Sequence, residues 1–174
     1  MIDGTGDPNT SQDYKDAIES LYAVSYTLKF MVKKEKAVDY VVMPLEGLWW
    51  TEPMSQFTME NKDMWQWTAM IMQPEYVTEE LFNRAVEQVQ IKKNLPSLSK
   101  IKFKSLYEGL STQLMYIGPY SAEGPTIEKL HNFIEENGYE LRGKHHEIYL
   151  SDPRRSAPEK LKTVIRQPVM SAGL

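Results

Sequence analysis

The two halves of this chain repeat one order of signals, and that repeat constrains the fold more than any single motif. TAMIMQP at 68–74 and KTVIRQP at 162–168 close the halves on the same apolar-then-Gln-Pro pattern. Before each comes a strand-like stretch with one glutamate: PLEGLWW at 44–50 carries Glu46, and HHEIYLSD at 145–152 carries Glu147. Each half also offers an earlier strand, a turn with Gly and Pro, and a long helix. That order predicts an α+β fold, a tandem duplication of a β-α-β-β-type module pairing around a pseudo-two-fold axis with a central ligand cleft. The 174 residues suit a single domain of this kind. Module one would span about 1–93 and module two about 101–174.

Local signals place the elements. Thr10 or Ser11 caps a first helix, whose apolar residues Ala17, Ile18, Leu21, Val24 and Leu28 fall on one stripe. It should end near KKEK at 33–36. DYVVMPLEGLWW reads as a strand, 51–63 as a loop, and MWQWTAMIMQP as the returning strand. Thr78 caps a second helix with Leu81, Ala85, Val86 and Val89 on one face, and 94–100 is a linker. IKFKSLYEG and STQLMYIGPY read as two strands. Pro125 suits the first turn of a third helix, buried through Ile127, Leu130, Phe133 and Ile134 and ended by Gly138. HHEIYLSD is a strand, PRRSAPEK a loop and LKTVIRQPV the last strand.

Composition narrows the function. Hydrophobic residues at 41% and aromatics at 11% suffice for a core, and the net charge of −4 speaks against a nucleic-acid surface. No apolar run reaches the roughly 20 residues that span a bilayer, and no signal-peptide pattern opens the chain. Without cysteine there is no disulfide framework, thiol catalysis or cysteine–zinc site, and a cytoplasmic protein is the expectation. No cofactor is implied, and the oligomeric state is left open.

Four indoles come from one half: Trp49, Trp50, Trp65 and Trp67. Singly, aromatic residues in strands are ordinary core and strand glutamates ordinary surface. Doubled tryptophans beside a glutamate ask for more, because each indole N–H must find an acceptor when buried. Alternate strand residues share a face, so Glu147 goes with His145 and Tyr149, and Glu46 with Leu48 and Trp50. If both glutamates look into the cleft, with Trp and Tyr rings as walls, the cavity suits a flat apolar or cationic ligand. A desolvated glutamate there would have its pKa pushed up. GTGDP at 4–8 lacks phosphate-loop spacing. His145 and His146 point to opposite faces, which disfavours a metal site. DPRRSAPEK has no catalytic spacing, and no nucleophile elbow supports a Ser–His–Asp triad.

HHEIYLSDPRRSAPEKLKTVIRQPV resembles the C-terminal signature of the GyrI-like small-molecule-binding proteins. MIDGTGDPN, YAVSYTLKF and DYVVMPLEGLWW resemble one stand-alone branch of that family. The resemblance implies the duplicated fold around a ligand cleft, and a ligand-facing glutamate at Glu147. It also implies an aromatic cage, for which Trp49, Trp50, Trp65, Trp67 and Tyr116 are the candidates, with Tyr149 beside Glu147. Glu46 enters by pseudo-symmetry alone. Part of the branch hydrolyses the cyclopropane of DNA-alkylating natural products, which would make Glu147 and Glu46 catalytic. Members of the branch generally carry a further N-terminal stretch, so a truncated or partly ordered chain is expected. No helix-turn-helix precedes the domain, which weighs against a transcription activator.

Three readings follow. The leading one is binding of a flat aromatic or cationic xenobiotic, for sequestration or detoxification. The second is a hydrolase opening cyclopropanoid rings, and the third a protein-interaction module using the aromatic residues as a patch.

Overall fold

The computed structural model describes residues 1–58 and 61–173. It contains β1 (Ile2–Thr5), α1 (Gln12–Lys36), β2 (Leu45–Trp50), β3 (Gln66–Ile71), α2 (Glu79–Lys92), β4 (Ser111–Ile117), α3 (Gly124–Glu136), β5 (Tyr139–Leu141), β6 (His145–Tyr149) and β7 (Lys162–Ser171). The class is α+β, as the sequence predicts. Residues 59 and 60 of the expected loop lie outside the described residues.

The chain forms two compact units, Met1–Leu45 with Thr51–Ser105, and Glu46–Trp50 with Leu106–Leu174. In the first, β1 runs antiparallel to β3 with Ile2 opposite Ala69 and Gly4 opposite Trp67. Gly4 has a specific reason. A Cβ there would meet the Trp67 ring at 2.2 Å, so only glycine lets the indole lie flat across the neighbouring strand. The Ser11 side chain accepts the Tyr14 N–H and the Thr78 side chain accepts that of Leu81, satisfying donors that open α1 and α2. Val24, Leu28 and Val32 of α1 pack with Leu81, Phe82, Ala85 and Val89 of α2. Each such large aliphatic contributes about 1.5–3 kcal/mol through burial.

In the second unit the strand order is β2-β6-β7-β4, and β5 pairs with the far end of β7. Across it Glu147 stands opposite Ile165 and Tyr149 opposite Thr163, while Leu114 and Tyr116 face the same two residues from β4. Helix α3 covers that face, burying Leu130 and Ile134 against Ile165 and Val169. Pro125 lies in its first turn, and Gly138 follows it at φ 76°.

Two expectations need correction. IKFKSLYEG forms no strand: Phe103 stacks on Phe82 at 5.2 Å and Tyr107 faces solvent. DYVVM precedes its strand because Pro44, which has no N–H to give a ladder, separates it from β2. The short strand β5 was not legible, since three residues carry too little pattern.

Candidate functional site

The strand β6 carries two polar clusters, one on each face. On the face covered by α3, the Tyr149 hydroxyl donates to Glu147 Oε2 at 2.7 Å, and His145 Nε2 lies 3.0 Å from Oε1. The Trp49 indole N–H donates to the Tyr149 hydroxyl at 3.1 Å. Tyr120 meets the Tyr149 ring edge-on at 5.5 Å. Glu123 is buried at the entry to α3 and near enough to help hold the Glu147 carboxyl down. The Glu147 side chain remains 14% exposed. Burial opposes its charge, but the hydrogen bond and charge of His145, with the bonds of Tyr149 and Glu123, hold the carboxyl below its usual range. The upward shift expected from desolvation alone is therefore corrected: the hydrogen bonds outweigh it. Tyr116 lies one row away, its hydroxyl donating to Pro119 O at 3.0 Å and pushed up in pKa by burial and then by Glu123.

The indole of Trp49 reaches Tyr149 by folding over its own strand. A Cβ on Gly47 would stand 2.6 Å from Trp49 Nε1, so the Gly47–Leu48–Trp49 spacing creates the room the ring needs. Trp49 is nearly inaccessible, at 3%. It backs Tyr149, while Tyr116, Tyr120 and Tyr149 present the more accessible rings.

On the opposite face lies the second cluster. His146 is 1% exposed; its Nε2 lies 2.9 Å from Glu46 and its Nδ1 3.0 Å from both oxygens of Glu108. Arg166 donates to Glu108 at 3.1 Å. Burial pushes the imidazole pKa down, but the bonds and charges of Glu108 and Glu46 raise it above the ordinary 6.5. Each ring nitrogen thus faces a carboxylate, an arrangement that favours the protonated ring. Burial likewise opposes charge on Glu108, yet His146 and Arg166 hold it below the ordinary 4.5. Trp50 also stands on this face, with the Lys144 ammonium 3.2 Å from its ring centroid.

Stability should depend on pH accordingly. The raised His146 contributes fully below pH 6.5, and its share is lost as pH rises through the folded value. The lowered Glu108 contributes fully above pH 4.5, and its share is lost as pH falls through the folded value. Urea midpoints should therefore peak between these limits, and His146→Gln should flatten the alkaline side. An alkaline limb unchanged by that substitution would dissociate His146 from the effect.

The structure thus brings Glu147, Tyr149 and Trp49 together with Tyr116 nearby, and it separates Glu46 from them. The expectation that both glutamates face one cleft is corrected by the pairing of Glu46 with His146, whose side chain leaves β6 on the face opposite Glu147. Trp65 and Trp67 belong to the first unit. Trp65 donates to Thr58 O at 3.0 Å and lies against Phe57 at 4.5 Å. Trp67 is core, packed edge-on to Tyr14 at 5.0 Å, and its N–H finds no acceptor among the described residues.

Comparison with known proteins gives the family. The family profile of the GyrI-like small molecule binding domain matches residues 1–170. The chain belongs to the GyrI-like family. Among solved structures, this GyrI-like domain is similar to an uncharacterized conserved protein from Listeria innocua. The two share 42% identity over 97% of this chain and 85% of that one, with a TM-score of 0.89. Two structures of a hydrolase from Listeria innocua are 40% and 41% identical, each over 97% of this chain and 85% of that one, with TM-scores of 0.82 and 0.84. No curated protein matches.

This GyrI-like domain is therefore a small-molecule-binding domain with a buried aromatic cluster. No helix among its described residues is long and apolar enough to cross a membrane. Sequence reading missed Glu123 and Tyr120 as members of the Glu147 cluster. Both sit in GPYSAEGP at 118–125, where an acid before a helix ordinarily signals a cap. Glu123 makes no side-chain cap bond. Glu108 was missed because its stretch was read as a strand.

Proposed function

We propose that the Glu147 cluster binds flat aromatic molecules carrying positive charge, for sequestration or detoxification. The observation that carries this reading is a carboxylate bonded on both oxygens, still partly open, beside the tyrosine rings. Such an anion stays ionised at neutral pH without recruiting the ligand to ionise it. Rings at that position add about 0.5–2 kcal/mol each through cation–π attraction. Ethidium, a flat aromatic monocation, is a suitable probe. Its affinity should fall about tenfold or more in Glu147→Gln, as for loss of a charged partner worth about 1.5–3 kcal/mol. An uncharged ring system of similar size should lose little. Trp49→Phe should weaken binding by releasing Tyr149, whereas Trp50→Phe, on the other face, should not. Equal ethidium affinity in wild type and Glu147→Gln would remove the carboxylate from the site.

A second reading is hydrolysis, which the two Listeria innocua hydrolase structures at 40% and 41% identity favour; the reaction that the branch resemblance suggests is opening of the cyclopropane in cyclopropanoid DNA-alkylating natural products. A carboxylate held low in pKa is a weak base but a permanent anion. Its part would be to orient water and stabilise positive character at the attacked carbon. Mass spectrometry of a cyclopropanoid incubated with the protein decides for turnover if ring-opened product forms. Undiminished turnover in both Glu147→Gln and Glu46→Gln would exclude the carboxylates from the chemistry.

A further inference from the structure

We propose that the outer edge of β4 is a homodimer interface, where the strand pairs antiparallel with β4 of a second copy of this chain. In the second unit β4 ends the strand order, with β7 on one side and no strand on the other. The ladder to β7 shows which backbone groups face the open side. Opposed residues of an antiparallel pair exchange hydrogen bonds at every second position. Gly118 donates to Leu161 O at 3.0 Å, and Leu110 O accepts from Val169 at 2.9 Å. Both contacts continue the register that sets Leu114 opposite Ile165, so the even-numbered residues of β4 are the ones bonded to β7. Ser111, Gln113, Met115 and Ile117 therefore turn their N–H and C=O groups to the open edge. Among the described residues no hydrogen bond meets those groups there.

Edges of this kind are normally blunted by charge, proline, a bulge or a covering segment. The edge strand β1 of the first unit is blunted in this way. It is four residues long, its Asp3 is held by Lys102 at 2.8 Å, and the Lys102 backbone bonds to Met1 in both directions. β4 has no such device. Its sequence STQLMYI carries no charge and no proline, and it runs beside β7 without a bulge. Met115 and Ile117 are 50% and 58% exposed, and Leu110, just before the strand, 60%. On a chain of net charge −4, this uncharged strip lets two copies approach with no like charges opposed.

A two-fold axis at Leu114 fixes the register. It sets Ser111 opposite Ile117 of the second copy and Gln113 opposite its Met115, so every outward group finds a partner in about eight hydrogen bonds. Leu110 then falls opposite Gly118 of the copy, which has no side chain to obstruct it. Moving the axis one way brings Ile117 opposite Gly109, whose φ of 68° is not extended. Moving it the other way brings Ser111 opposite Pro119, which has no N–H to give. At about 3.4 Å per residue the paired strip is only about 24 Å long. That falls short of a standard interface, so the dimer is a weak one, with a Kd in the micromolar range.

Sedimentation velocity of the full chain, from low micromolar to near-millimolar concentration, should show the mean mass rising toward twice that of one chain. Met115→Pro removes an outward N–H without touching the bonds to β7, at an edge position where proline is tolerated. It should leave a monomer throughout, with circular dichroism like that of the wild type. If that variant misfolds, charge variants decide instead. Ser111→Lys with Ile117→Lys places like charges opposite each other in both outer pairs and should weaken dimerisation about tenfold or more. Ser111→Glu with Ile117→Glu should do the same. Mixing the two variants should restore the dimer, because each lysine then faces a glutamate. A wild-type chain that stays monomeric over the whole range overturns the proposal. So does a dimer that a folded Met115→Pro or the charge variants leave unchanged, or a mixture that fails to dimerise.

Discussion

Replacing His146 with leucine is expected to lower the unfolding free energy by about 3–5 kcal/mol, the loss that follows removal of one partner from a buried ionic cluster. The side chains of Glu46 and Glu108 are only 13% and 14% exposed, and the His146 ring stands between them. Without it Glu108 keeps Arg166, but Glu46 loses the hydrogen-bonded cation that offsets its desolvation. Its carboxylate would then draw β2 toward water. Urea denaturation at pH 6 measures the effect, and Glu46→Gln in the same background should recover part of the loss by removing the stranded charge. A loss below about 1 kcal/mol, within the range of an ordinary surface change, would mean that the cluster is solvated enough to be dispensable.

Gly47→Ala is expected to be the most damaging substitution at the Glu147 site that touches no ligand-facing side chain. The added methyl would stand 2.6 Å from the Trp49 indole nitrogen and 2.8 and 2.9 Å from two of its carbons. A rigid ring cannot yield at one atom, so the whole indole must turn. Overpacking of this kind costs about 1–3 kcal/mol, and the broken bond to Tyr149 adds about 1 kcal/mol. Ethidium affinity should fall about tenfold as Tyr149 loses its orientation. The double variant Gly47→Ala with Trp49→Leu makes the cause separable: it should recover stability, because the clash is gone, and should not recover affinity. Wild-type affinity in Gly47→Ala would mean that Trp49 does not position Tyr149.

Much of the fold is legible residue by residue. The caps at Ser11 and Thr78, Pro125 in the first turn of α3 and the periodic stripes of α1 and α2 are local signals, and local geometry obeys them. On α3, Leu130 and Ile134 are buried as expected, but Phe133, placed in the same buried stripe, is 54% exposed. IKFKSLYEG misleads because an alternating pattern shows only that a strand is allowed. Phe103 found a stacking partner in Phe82, and the backbone pairing of Lys102 with Met1 is too short to make the segment a strand.

The site was legible in its chemistry and less so in its arrangement. That Glu147 shares a face with His145 and Tyr149 follows from the two-residue period of a strand, and so does the separation of His145 from His146. Aligning Glu46 with Glu147 through the repeat, however, assumes a register between strands distant in sequence. A shift of one residue moves every side chain of a strand to the other face. The tertiary structure sets that register so that Glu46 meets His146, while Trp49 rather than Trp50 reaches Tyr149. Glu123 is a starker case, because its role depends on a helix end and a strand far apart in the chain meeting in space. The sequence by itself determined the elements, their order and which residues alternate on each strand, since those depend on neighbours a few bonds away. Only the tertiary structure decided which glutamate stands among the tyrosines and which is held by a buried histidine, because cross-strand register is set by packing and not by any local spacing.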